Sequence, residues 1–249
     1  MKGRVKDSSI IIKLSPYGES SLIVQALCRQ LGSISFIAKG QRQKPSSLPL
    51  LPLCEYELTL YEPLETGLYL FCEASLSTER SFTDAKCWST AHCGTELIGR
   101  LVVAADEHML YFDLLSEYLD YLLKLDREPL PIFWRLFLRV MQLQGLKLET
   151  KLCSVCSETA CQAAYLKKDA SLICEQCARR DYSQDEIQRL SPGAQELLYH
   201  LPSIGNYLGE LRLSRSIVHE LNEYFVSYYQ AHTHQTLKLK SLSVLEQYY

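Results

Sequence analysis

The octapeptide CEYELTLY, residues 54–61, alternates without a break. Cys54, Tyr56, Leu58 and Leu60 share one face, and Glu55, Glu57, Thr59 and Tyr61 share the other. A period of two with one apolar side is the pattern of a half-buried strand. Its neighbours read the same way. Upstream, Val5–Leu14 is rich in aliphatic and β-branched residues and ends at the turn cluster SPYGES. Leu22–Cys28 is a second apolar run, Gly32 opens a turn, and Ile34–Ala38 is a third run. Downstream of a turn at Glu62–Gly67, LYLFCEA (68–74) is a fifth strand. Five short strands in such a stretch fit a small barrel, whose closure leaves no exposed edge.

From about Ser81 the period lengthens. Thr95–Leu125 places Leu97, Leu101, Ala104, Leu110, Leu114, Leu115, Tyr118 and Leu122 at helical spacing. Pro129 and Pro131 interrupt it. Ile132–Leu143 is then an amphipathic helix with Phe133, Leu136, Phe137, Val140 and Met141 on its apolar side, and Gly145 suits its end. Ser183–Leu201 and Ser214–His232 read as further helices, with Ser191-Pro192 a helix start. There is no internal repeat, low-complexity tract or long linker. The chain is expected to be an α+β multidomain protein. Residues 1–79 form the barrel, 80–150 the first part of a helical domain, 151–182 a metal-binding insert, and 183–249 the second part of the helical domain.

The insert is carried by CSVCSETACQAAYLKKDASLICEQC, residues 153–177, which holds five of the ten cysteines. Cys153-x2-Cys156 and Cys174-x2-Cys177 are separated by 17 residues, within the spacing of four-cysteine zinc sites. Each knuckle turns two thiolates toward one point, and AAYL–KKDA–SLI between them can fold as a hairpin that joins the knuckles. Four thiolates complete a tetrahedral zinc site with no open position, so the zinc is expected to be structural. An iron–sulfur centre uses the same four thiolates and stays open as an alternative. Redox chemistry of the thioredoxin kind needs one such pair opening a helix, and two pairs do not fit it. Cys161 is either a spare thiol or a competing ligand. Cys28, Cys54 and Cys72 fall at apolar strand positions, and Cys87 and Cys93 match no site spacing; all five read as packing residues.

The net charge is −3, but residues 1–50 hold eight basic residues against two acids, which leaves the rest at −9. A basic end on an acidic body suggests a polyanion site, though a solvated charged surface is the ordinary source of such a bias. No apolar run is long enough to span a bilayer, and the start lacks the apolar core of a signal peptide. A cytoplasmic location with reduced thiols is therefore expected. P-loop, H-E-x-x-H and G-x-S-x-G motifs are all missing, so a binding protein is expected rather than an enzyme. His232 and His234 read as a solvated helix end, and the alternating Glu55/Glu57 pair as a soluble face.

The order of these features resembles the bacterial RecO family of recombination mediators. The resemblance is carried by YGESSLIVQALCRQLGSISFIAKGQRQKPSS (17–47), LPLCEYELTLYE, LETKLCSVC…LICEQC and KLKSLSVL (238–245), and it covers nearly the whole chain. One departure stands out: the family usually has Gly-Gly before the second knuckle, where this chain has Ala170-Ser171. The resemblance implies an N-terminal OB fold, a helical domain and a zinc ribbon. It implies binding of single- and double-stranded DNA, annealing of complementary strands, and loading of RecA onto strands coated by single-stranded DNA-binding protein. The implied partners are RecR and the acidic tail of that coating protein. No catalytic residue is implied, and the expected location is the cytoplasm, in association with the nucleoid.

The residues supply candidates for these roles. An OB fold binds single strands through a basic groove and stacking aromatics. The run K-G-Q-R-Q-K puts Lys39, Arg42 and Lys44 in or beside a loop, with Arg4, Lys6 and Lys13 of the first strand as further cations. Tyr17 and Phe36 are candidate stacking rings, although core packing is the commoner role of a strand aromatic. Arg135 and Arg139, i,i+4 on one helix, could receive the acidic tail, or be ordinary surface arginines. A zinc-stabilised protein–protein adaptor with only incidental DNA contact is the alternative function.

Overall fold

In the computed structural model, Arg4–Tyr17 form one long strand, β1, that pairs along both edges. Its first half runs antiparallel to β4 (Glu55–Tyr61), and its second half antiparallel to β2 (Ser21–Cys28). A bulge between Ile11 and Lys13 lets it bend from one neighbour to the other. β2 pairs with β3 (Gly32–Ala38), and β4 with β5 (Tyr69–Thr78). A short parallel contact of Phe36 and Ile37 with Tyr69 and Leu70 then closes a barrel of order β1-β2-β3-β5-β4. The described residues are 3–42, 49–63, 67–160, 163–209 and 211–249. They fall into two compact units, Met1–Leu125 and Asp126–Tyr249.

The barrel interior is what the alternation of residues 54–61 demands. Cys54, Tyr56, Leu58 and Leu60 are buried together with Ile11, Val24 and Phe36. Phe36 stacks on Phe71 at 5.9 Å, so its ring belongs to the core and is not available to a base. Cys28 is also interior, where burial pushes its thiol up to about 12. Asp7 is a buried carboxylate, and one of its oxygens accepts the backbone N–H groups of Gln30 and Leu31, both at 2.9 Å. It thereby fixes the β2–β3 turn. Gly32 there has φ +72, and a Cβ would collide with His108.

Two helices complete this unit, α1 (Ala85–Ile98) and α2 (His108–Leu123). The helical reading of Thr95–Leu125 is thus interrupted. Gly99 ends α1, and Leu101 and Ala104 lie in the connection, where Val102 is 91% exposed. The β-branched pair Val102-Val103 resists helix, and local stiffness wins over apolar spacing there. The start of α1 at Ala85 was hidden because its buried side holds Ser89, Thr90 and Gly94 rather than a large apolar stripe. Asp84 caps it, accepting the N–H of Cys87 at 2.8 Å.

The second unit begins with α3 (Leu130–Leu143), whose Trp134 and Phe137 pack on Phe225 of a later helix at 6.2 and 5.1 Å. Gly145, with φ +74, closes α3. The N–H of Leu146 reaches the carbonyl of Met141 and that of Gly145 the carbonyl of Gln142, a glycine-dependent C-cap. A hairpin of β6 (Ala164–Leu166) and β7 (Leu172–Ile173) follows, then α4 (Glu175–Asp181) and β8 (Ile187–Arg189). The small sheet has order β7-β6-β8.

This corrects the expectation of one helix over Ser183–Leu201. Residues up to Ser191 are turn and strand, and only α5 (Pro192–His200) is α-helical. Proline disfavours helix in the residue before it, so Ser191 caps and does not continue. Ile187 meanwhile finds a strand partner in Leu166. α6 (Arg215–Thr233) and α7 (Lys240–Leu245) end the chain, and buried Asn222 of α6 links Trp134 to Glu246 through two bonds of 2.7 Å. Among the described residues, no helix is long and apolar enough to cross a membrane.

Candidate metal and nucleic-acid sites

Local backbone bonds build the first knuckle. The Cys153 N–H donates to the Glu158 carbonyl at 2.8 Å, and the Ser157 N–H returns to the Cys153 carbonyl at 2.9 Å. Ser157 takes the left-handed conformation, φ +62, to make the turn. The Ser154 N–H then donates to Leu172 of β7 at 2.8 Å, and β7 leads directly into Cys174. Cys174 sits at the N-cap of α4, with Cys177 in its first turn. The hairpin expected between the knuckles is what brings them together.

The four sulfur atoms of Cys153, Cys156, Cys174 and Cys177 lie within 4.8 Å of one another. Metal–sulfur bonds of about 2.3 Å in a tetrahedron require sulfurs about 3.8 Å apart. Cys156 and Cys174 stand at 3.8 Å. The set therefore fits a tetrahedral thiolate-bound ion. Burial raises the Cys153 thiol, but N–H groups of Cys156, Cys174 and Val155 outweigh it and hold the thiol at about 6, which favours the thiolate a metal needs. Burial beside the other sulfurs pushes Cys177 up to about 12. Glu175, next to Cys174, bridges Arg189 of β8 and Arg179 of α4, and these two cations hold its carboxyl below the usual range. Cys161 lies outside the described residues.

One departure acquires a structural meaning. Ala170 has φ +56 and is buried at the hairpin turn. It adopts a conformation that glycine reaches without cost.

The barrel cations do not form one patch. Lys39 and Arg42 are exposed in the turn after β3. A guanidinium N–H of Arg42 donates to the Gly18 carbonyl at 2.7 Å, and its backbone N–H to Ser20 at 2.9 Å, so this turn is tied to the β1–β2 turn. Lys44 lies outside the described residues. Arg4 pairs with Tyr61, Tyr61 with Leu70, and Leu70 with Ile37, two residues before Lys39. Arg4 nevertheless opens β1, whereas the Lys39–Arg42 turn is bonded to Gly18 and Ser20 just past the other end of that strand. Lys13 stands exposed farther along β1, in a polar row with Gln25 and Ser35. Lys6 is diverted to Glu57, 3.5 Å away, on a β4–β5 face that also carries Glu55 and Glu73.

Of the two candidate stacking rings, Tyr17 is half-exposed beside the β1–β2 turn. Sequence reading missed Tyr61, which accepts a 2.6 Å bond from Arg4 and lies under its guanidinium at 5.0 Å. Only strand register joins these two residues, so no local pattern could have marked them. Arg135 and Arg139 lie on the less buried side of α3. His232 stacks on Tyr228 at 4.1 Å, and His234 is the left-handed cap of α6. Among the described residues, the four cysteines are the one cluster suited to a metal ion.

Two family models match the chain. One is described as Recombination protein O N terminal, over residues 1–79, and the other as Recombination protein O C terminal, over residues 83–242. The chain belongs to the recombination protein O family. The N-terminal match covers the barrel, and the C-terminal match runs from α1 into α7 and includes the four cysteines. Among curated relatives, the DNA repair protein RecO of Halalkalibacterium halodurans is 25% identical over 246 residues, covering 97% of this chain and 94% of that protein. The DNA repair protein RecO of Bacillus pumilus is 24% identical, covering 95% and 92%. That of Alkaliphilus metalliredigens is 26% identical, covering 70% and 72%. The architecture expected from the resemblance is the one observed: an OB-like barrel, a helical C-terminal region and a four-cysteine cluster.

Proposed function

We propose that this chain is a recombination mediator in DNA repair. It binds single- and double-stranded DNA without sequence preference and anneals complementary strands without ATP. With RecR it helps load RecA onto DNA coated by single-stranded DNA-binding protein, whose acidic tail it engages; Arg135 and Arg139 are proposed for that contact. The observation that carries the reading is the exposed Lys39–Arg42 turn on the rim of a closed OB-like barrel, in a member of the recombination protein O family. Exposed cations on a turn follow phosphates, and no base-reading element is evident among the described residues, so binding is proposed to be independent of sequence. Lys39, Arg42, Lys44, Arg4 and Lys13 are the proposed phosphate contacts. Lys6 contributes less, because Glu57 already neutralises it.

Cys153, Cys156, Cys174 and Cys177 are proposed to hold one structural zinc ion, supported by their mutual distances. Four protein ligands leave no position for substrate, so no catalytic role is assigned. The proposed organisation is a DNA-binding barrel at 1–79, helical segments at 80–150 and 183–249, and a zinc insert at 151–182, in a cytoplasmic, nucleoid-associated protein.

The exposed Glu73 on the outer face of β4–β5, beside Glu57, favours a second reading, a zinc-stabilised adaptor that meets proteins rather than DNA. Fluorescence-detected annealing of complementary oligonucleotides without ATP, across a salt series, separates the two. Wild type is compared with the variant K39E/R42E/K44E after metal content and folding are checked. Annealing that the triple change abolishes supports the mediator. A wild type that neither anneals nor binds DNA overturns it and leaves the adaptor.

A further inference from the structure

The end of α5 and the short helical turn after it bring three rings together. Tyr199 meets His200 edge to face at 5.1 Å, and His200 meets Tyr207 at 4.2 Å. The Lys151 ammonium stands 4.7 Å from the centre of the Tyr199 ring. Unlike the buried rings of Trp134 and Tyr224, these are open to water: Tyr199 is 40% exposed and Tyr207 36%. Lys151 is not a loose side chain on a loop. Its N–H donates to Glu149 at 2.9 Å, and its carbonyl accepts from Ala160 at 2.9 Å across the base of the first cysteine knuckle.

Clustered exposed rings beside a cation offer two things at once: π-faces for any base and a charge for the adjoining phosphate. A protein partner would be expected to meet a larger aliphatic surface. Here the exposed aliphatic groups are Leu152 and Val155 on the knuckle. The exposed Glu196 lies one helical turn before His200 and disfavours phosphates on that side.

We propose that Tyr199, His200 and Tyr207, together with Lys151, form a base-stacking site for single-stranded nucleic acid on the unit that carries the four cysteines. The proposal rests on the nucleic-acid reading above and deepens it by naming a contact away from the barrel. Annealing requires two stretches of strand to be held at once, and a stacking site on a different unit from the barrel cations supplies the second. Because the knuckle holds the backbone of Lys151, the cysteine cluster also sets the geometry of this site.

The test is titration of an oligothymidine carrying 2-aminopurine, whose emission is quenched when the base stacks on a ring. The full-length wild type should bind and quench. The variant Y199A/Y207A should lose the quenching and bind about thirtyfold more weakly or worse, since each stacked base contributes roughly 1–3 kcal/mol. Its salt slope should hold, because no phosphate contact is removed. Y199F/Y207F should behave as wild type. Y199L/Y207L keeps apolar bulk without rings and should behave as the alanine variant. K151Q should lower the salt slope by roughly 0.7 without abolishing quenching. Alanine and leucine variants with normal metal content and unchanged affinity and quenching would overturn the site and assign the patch to a protein partner. If those variants bind normally while K39E/R42E does not, the barrel reading stands alone. If wild type binds no oligonucleotide, both readings fall.

Discussion

The guanidinium of Arg42 donates to the carbonyl oxygen of Gly18 at 2.7 Å, joining the turn after β3 to the turn between β1 and β2. The bond holds the two loops as one surface.

The first prediction concerns that surface. If five phosphates are neutralised on a single strand, the logarithm of affinity falls with that of salt at a slope of about −3.5. The variant K39Q/R42Q should bring the slope to about −2, since each lost contact removes roughly 0.7. R42K should keep the slope but loosen the β1–β2 turn, because an ammonium lacks the planar fork. Binding isotherms at several salt concentrations, with hydrogen exchange at residues 18–20, check both outcomes.

Arg80 should matter for stability without touching DNA. Its side chain is 1% exposed and donates to Asp120 at 2.7 Å, Ser116 at 2.8 Å and the Leu53 carbonyl at 3.3 Å. Removing one partner of a buried pair leaves the other uncompensated. Asp120 is partly solvated, so R80M should cost about 3 kcal/mol, the low end for such losses. Urea unfolding reads this as a shift of midpoint with an unchanged slope.

Ala170 tests the hairpin of the metal insert. Glycine there would relieve roughly 1–2 kcal/mol of left-handed strain. It would also forfeit about 0.8 kcal/mol of methyl burial and roughly 0.4–1 kcal/mol through the freer unfolded chain. A170G should therefore lie within about 1 kcal/mol of wild type. A170V adds β-branch strain and overpacking, and should lose about 2–3 kcal/mol. Thermal unfolding with metal analysis of each variant distinguishes them.

His92 makes stability depend on pH. It packs on Trp88 at 4.1 Å, and burial lowers its pKa, with nearby Glu96 opposing. The unfolded chain, with a histidine near 6.5, therefore binds the proton more readily than the folded one. The folded state keeps its full advantage above about pH 6.5 and loses it as the pH falls below that value. H92L should flatten this part of the profile, as seen in urea midpoints between about pH 7.5 and 5.5.

What could be read from the chain alone depended on neighbours in sequence. The alternation of 54–61 named the buried residues of β4, because a strand turns successive side chains to opposite faces. Ser191-Pro192 and Gly145 marked helix ends, because capping is settled within one turn. The two C-x-x-C pairs announced four converging thiolates, because each knuckle is closed by its own backbone.

Tertiary structure decided what depends on who stands opposite whom. It paired β1 along both edges, closed the barrel through two residues of parallel contact, and recruited Ile187–Arg189 as a third strand of the insert. It set Arg4 on Tyr61, diverted Lys6 to Glu57, buried Arg80 against α2, and placed Lys151 over Tyr199. The Arg4–Tyr61, Lys6–Glu57, Arg80–Asp120 and Lys151–Tyr199 contacts join residues 40 to 57 apart in sequence. Their formation rests on loop closure and register, to which no local period corresponds.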